Sequence, residues 1–126
     1  SHTPEWISVG EVGRIDQAGF LFLTGRRSRM FTVADQNIFP EQIESWFQAR
    51  GVEPVAVLQQ RDPQLGNKAV LVTTGQHYST DQLKALSRDL PMHAKPRSFI
   101  TVDSWPRLAS GKTDLQALSA QLSTTT

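Results

Sequence analysis

At 126 residues the chain is the size of one domain, or of one piece of a longer protein. It carries 13 Lys+Arg against 12 Asp+Glu, a formal net charge of +1, and no cysteine. That balance argues against a protein that lives on nucleic-acid phosphates. The missing cysteine excludes a disulfide framework, a thiol nucleophile and thiolate-bound zinc or iron–sulfur centres. No apolar run approaches membrane-spanning length and no signal-peptide pattern opens the chain, so the expected location is the cytoplasm.

Glu11-Val12-Gly13-Arg14-Ile15 and Gly19-Phe20-Leu21-Phe22-Leu23 flank a stretch of turn composition, which predicts a β-hairpin. Met30-Phe31-Thr32-Val33 reads as a short strand. Asn37-Ile38-Phe39-Pro40 leads into a helix. Pro40 suits its first turn, and Glu41 and Glu44 suit its positive end. Ile43, Trp46 and Phe47 form its apolar stripe, and Gly51 ends it. Pro54 to Gln60 and Lys68 to Thr74 predict two strands around a turn at Arg61–Asn67. Ser79-Thr80-Asp81 caps a helix with Leu83, Leu86 and Leu90 on one face. Ser98 to Val102 predicts a strand. The loop from Asp103 to Lys112 leads to a last helix carrying Leu115 and Leu118. The class is α+β: a small sheet with helices packed on it, plus an N-terminal β-hairpin.

Ser110-Gly111-Lys112-Thr113 has the ending of a phosphate-binding loop, but Pro106 stands where that motif needs its earlier glycine, and no strand precedes it. The motif is therefore rejected. Lys112 remains a lysine on a loop read as mobile, able to reach a phosphate or carboxylate as a flexible point charge. Left at that, a loop lysine is usually just solvated. Arg26, Arg27 and Arg29 make a local positive patch whose guanidinium forks suit phosphate, ribose or carboxylate. A salt-bridged turn is the plainer reading. The three histidines are scattered, and no metal site is assigned. Asp35 is a single loop carboxylate.

Two stretches together go further. Residues 19–44, G-F-L-F-L-T-G-R-R-S-R-M-F-T-V-A-D-Q-N-I-F-P-E-Q-I-E, resemble the hinge region of the adenylate-forming enzymes: acyl-CoA synthetases, aryl-CoA ligases, luciferases and peptide-synthetase adenylation domains. Residues 105–118, W-P-R-L-A-S-G-K-T-D-L-Q-A-L, resemble the closing motif of the same superfamily. The resemblance covers the whole chain and matches the last quarter of such an enzyme. It implies a lead-in from the end of the large domain at 1–25, next to the hinge, a mobile C-terminal domain at 26–122 and a frayed tail at 123–126. The resemblance makes Lys112 the adenylation lysine, between substrate carboxylate and ATP phosphate. It makes Arg26 a nucleotide contact and Glu11 the counterpart of a ribose-binding aspartate, one methylene longer. Ser28 takes the hinge position, where the family usually has Asp or Lys. Asp35 stands where most members have a glycine in the loop lining the thiol tunnel. A carboxylate there is expected to stay solvated or to pair with Arg26, Arg27 or Arg29. The implied function is the lid domain of an ATP-dependent ligase that forms an acyl-adenylate and passes it to a thiol, inactive as an isolated chain. ATP/AMP and CoA or a phosphopantetheine thiol are the implied ligands, with Mg2+ accompanying ATP but not bound by this domain. The implied partners are the large N-terminal domain, a carboxylic acid and a carrier protein. Ser28, Asp35 and Glu11 also suit an alternative: a degenerate domain that only docks a partner or carrier.

Overall fold

Val55-Ala56-Val57-Leu58 and Ala69-Val70-Leu71-Val72 are unbroken apolar runs, the pattern of strands covered on both faces. The computed structural model, which describes residues 12–15, 20–23, 29–75 and 78–124, bears this out. Strands β5 (Val55–Asp62) and β6 (Gly66–Thr74) form a long antiparallel hairpin, with Val57 opposite Leu71. Strand β7 (Ser98–Val102) joins β6 in parallel, so the sheet order is β5-β6-β7. Parallel pairing needs a long crossover. Helix α2 (Thr80–Leu86) and a 3-10 turn (Met92–Ala94) lie in that connection.

The faces of the sheet are buried in two separate clusters. Val55, Val57, Ala69 and Leu71 point toward Ile43 and Phe47 of helix α1 (Pro40–Gln48) and Leu83 of α2. Ala56, Leu58, Val70 and Val72 point the other way, against Leu118 and Leu122 of helix α3 (Leu115–Thr124). The alternation follows from the two-residue period of a strand. The result is an α+β domain with a three-stranded mixed sheet between helices.

Two small hairpins complete it. The expected N-terminal hairpin is present: β1 (Val12–Ile15) pairs antiparallel with β2 (Leu21–Leu23). Phe20, just before β2, bridges to Gln60 of β5 and is buried in the α3-side cluster at 1% exposure. Strand β3 (Phe31–Val33) pairs with β4 (Gln36–Ile38). The sequence reads Asn37-Ile38-Phe39-Pro40 as the approach to helix α1 and gives Gln36–Ile38 no strand. Gln36–Ile38 becomes a strand because Ala34 (φ 50) and Asp35 (φ 69) make a tight left-handed turn that folds it back on β3.

Helix α1 ends as its glycine predicts. Gly51 takes φ 92, its N–H donates to Gln48 O at 3.0 Å, and the Val52 N–H donates to Phe47 O at 3.0 Å. This pair of bonds is the Schellman closure, and buried Val52 supplies its apolar contact. Ser79 caps α2 in a full capping box with Gln82. That helix stops at Leu86, short of the expected Leu90, which still packs against the α1-side cluster. Helix α3 continues through Ser123 and Thr124, two residues of the expected frayed tail.

Candidate functional site

Lys112 is exposed on the loop between β7 and α3, and its side chain makes no ion pair among the described residues. The loop is not the loose segment that its composition suggested. The Leu108 N–H donates to Lys112 O at 2.8 Å and the Gly111 N–H to Leu108 O at 2.9 Å. Arg107 bridges to Thr113, and the Asp114 N–H donates to Pro106 O at 3.0 Å. At the base, the Trp105 indole N–H donates to the Thr113 hydroxyl at 2.9 Å. Trp105 itself packs on the α3-side cluster, so the loop is tied to the core. Asp114 then caps α3, its carboxylate accepting from the Ala117 N–H at 3.0 Å. Residues 105–114 form a closed hairpin with Lys112 near its tip.

Lys112 lines a cleft of about 250 Å³ with Thr113, Val55, Glu44 and Arg29. Arg29 comes from the other sequence motif. Tertiary structure thus brings the two motifs to one cleft. Arg29 does not add a free cation there. Its Nη2 and Nη1 donate to the Glu44 carboxylate at 2.7 and 3.2 Å, and Nη2 also donates to Val57 O at 2.7 Å. Glu44 accepts in addition from the Val57 N–H at 2.8 Å. Val57 lies on β5, an edge strand, and both its outward backbone groups are satisfied by this one ion pair. The clasp blunts an edge that would otherwise offer a pairing template. The sequence suits Glu44 to the positive end of α1, but among the acidic residues only Glu41 lies in the first turn, and Glu44 serves β5 instead. The signal for the clasp was its place in the hinge motif, and charge alone could not have paired it.

Asp35 sits at the tip of the β3–β4 turn, exposed, and makes no ion pair among the described residues. Of its suggested partners, Arg29 is held by Glu44. Its φ of 69° is the left-handed region, which glycine fills most easily and Asp tolerates among other residues. A backbone requirement thus accounts for a glycine-type position occupied here by aspartate. Glu11, Arg26, Arg27 and Ser28 lie outside the described residues. Among the described residues no group of three or more His, Asp or Glu could hold a metal ion, and no helix is long and apolar enough to cross a membrane.

The closed loop thus presents an exposed ammonium, without an ion pair among the described residues, beside Arg29 of the other motif. No family model matches the chain. Individual proteins do. It is 36% identical over 110 residues to an uncharacterized acyl-CoA ligase, YhfT, of Bacillus subtilis, covering 86% of this chain and 23% of that protein. It is 32% identical over 110 residues to a 2-succinylbenzoate–CoA ligase of Listeria monocytogenes, covering 85% of this chain and 24% of that one. Among solved structures it superposes on ATP-bound MatB of Rhodopseudomonas palustris with a TM-score of 0.67 at 25% identity, covering 90% of this chain and 24% of that one. The amide bond synthetase McbA of Marinactinospora thermotolerans matches with a TM-score of 0.65 at 28% identity, over 89% of this chain and 24% of that one. The chain therefore spans about a quarter of the length of the relatives it matches. It aligns with their C-terminal part and belongs to the adenylate-forming, acyl-CoA synthetase-like ligases as such a C-terminal domain.

Proposed function

We propose that the chain is the mobile lid of an ATP-dependent ligase working in two half-reactions. In the first, a carboxylate attacks the α-phosphate of ATP, giving an acyl-adenylate and releasing pyrophosphate. In the second, a thiol attacks the acyl carbon and AMP leaves. Two anions must approach each other in the first step, and a fixed cation lowers that barrier. The observation that carries the reading is the exposed Lys112 ammonium on its closed loop, without an ion pair among the described residues and in one cleft with Arg29. An exposed ammonium of this kind fits an anionic ligand.

The hinge at Ser28 receives support from its neighbour. Arg29 is clamped to α1 and β5, which supports a hinge in the segment just upstream of it. Arg26 and Glu11, on the upstream side, would meet the ribose. In the second orientation the Asp35 turn would face the thiol, and its exposure leaves the carboxylate solvated there. The relatives named as CoA ligases favour CoA as acceptor, with a carrier-bound phosphopantetheine as the nearest variant. The carboxylic acid would sit on a large N-terminal domain, with Mg2+ accompanying ATP there.

The test is Lys112→Ala in the full-length enzyme. Adenylation, read by ATP–pyrophosphate exchange, should fall a hundredfold or more, about 3 kcal/mol, as expected for one well-placed charge donor. Thioester formation from supplied acyl-adenylate should persist. Equal loss in both half-reactions would make Lys112 a structural residue and sink the two-orientation reading.

A further inference from the structure

Gly111 immediately precedes Lys112, and its φ of 93° with nothing within 4 Å of a would-be Cβ leaves it in open space. The open space beside the Gly111 Cα leaves the peptide plane between Gly111 and Lys112 to be set by hydrogen bonds, and that plane sets where the lysine side chain leaves the backbone. Two hydrogen bonds hold Gly111. Its N–H donates to Leu108 O, which closes the turn. Its carbonyl, which belongs to the critical plane, accepts from Arg107 Nη1 at 2.9 Å. Arg107 is itself held in register by its bridge to Thr113, on the far side of Lys112. The guanidinium thus spans the loop as a strut.

We propose that Arg107 is a positioning residue for adenylation: it fixes the Gly111–Lys112 peptide so that the Lys112 ammonium is presented in one direction. The proposal rests on the assignment of Lys112 as the adenylation lysine. A lysine stem has four rotatable bonds, and an extra free peptide plane at its root spreads the ammonium over a larger volume. Loss of orientation of this kind reduces rate more than binding. Both Arg107 and Gly111 are exposed, so removing the strut leaves no buried group without a partner. Fold stability should hardly change.

The experiment compares Arg107→Ala, Arg107→Lys, Lys112→Ala and the Arg107→Ala/Lys112→Ala double variant in the full-length ligase. Adenylation and transfer from supplied acyl-adenylate are measured separately. Arg107→Ala should lower kcat for adenylation about tenfold, with KM for ATP and the transfer rate unchanged. Arg107→Lys, which keeps one donor within reach of the carbonyl, should recover part of that loss. In the Lys112→Ala background, Arg107→Ala should add nothing, since there is no ammonium left to aim. A further tenfold loss in that background, or an equal loss in transfer, would show that Arg107 acts on the fold or on another ligand and would overturn the proposal. If Lys112→Ala cripples adenylation while Arg107→Ala leaves it intact, the strut alone fails and the lysine assignment stands. If Lys112→Ala spares adenylation, the lysine assignment fails and the role of Arg107 with it.

Discussion

Ala34 holds φ near 50°, a conformation that costs an L-residue with a Cβ roughly 1–2 kcal/mol relative to glycine. It does so because the β3–β4 turn needs two left-handed residues, and its N–H donates to Leu65 O at 3.2 Å, tying the turn to the β5–β6 connection. Ala34→Gly should relieve that strain. Part of the gain is offset by the greater freedom of glycine in the unfolded chain, leaving about 0.5–1 kcal/mol of added stability. A urea titration of the isolated domain reads this directly, and a lower midpoint would show that the Ala34 methyl contributes packing that outweighs the strain. Glu44 is the opposite case, a half-buried carboxylate with two separate duties. Glu44→Ala removes the forked ion pair and also strands the Val57 N–H at the sheet edge. The expected loss is about 2–3 kcal/mol, with the pair being 20% and 14% exposed and so only partly screened. Glu44→Gln, which keeps an acceptor for Val57, should lose less. Equal losses in the two variants would mean that charge, and not the backbone bond, is what Glu44 supplies.

At the scale of the element, the ends decide more than the middles. Helix α1 has only nine residues and no side-chain cap at Phe39, so its Schellman closure carries much of its definition. A Cβ at Gly51 would lie 3.1 Å from the Tyr78 hydroxyl, and that hydroxyl donates to Gly51 O at 2.9 Å. Gly51→Ala therefore strains the backbone and crowds the contact that joins the end of α1 to the lead-in of α2. Destabilisation of about 1–2 kcal/mol is expected, with amide exchange accelerating first at Gln48–Val52. Protection unchanged in that stretch would mean that α1 is held by its buried face alone. The loop of Lys112 follows the same rule: its tip is exposed, while Trp105 at its base and Asp114 at the start of α3 hold its two ends.

The whole molecule is a domain with two apolar clusters and a charged cleft at one rim. Among the described residues, Lys112 is the one group here proposed to touch the reacting atoms. The isolated chain should therefore fold but show no ligase activity, because a single lysine supplies little without the other groups that orient substrate. Incubation with ATP and fatty or aryl acids should release no pyrophosphate above background. Release that depends on Lys112 would mean that the ATP site is more complete in this chain than its length suggests.

The α+β class, the strands at Val55 and Lys68, the helix after Pro40 and the Gly51 stop were all legible in the sequence, because each rests on local rules of burial period, proline φ and glycine freedom. The two motifs around Arg26 and Lys112 were legible for another reason: they resemble a family pattern that is itself local. What only the tertiary structure decided is non-local. Strand β4 depends on a turn whose residues, Ala and Asp, do not announce a left-handed conformation. The parallel seating of β7, the burial of Phe20 against α3 and the meeting of Lys112 with Arg29 join residues far apart in the chain, where no periodicity reaches. The Arg29–Glu44–Val57 clasp belongs to the same class. A charged side chain carries no sequence record of which carbonyl it will hold, because that choice is made by packing after the chain has folded.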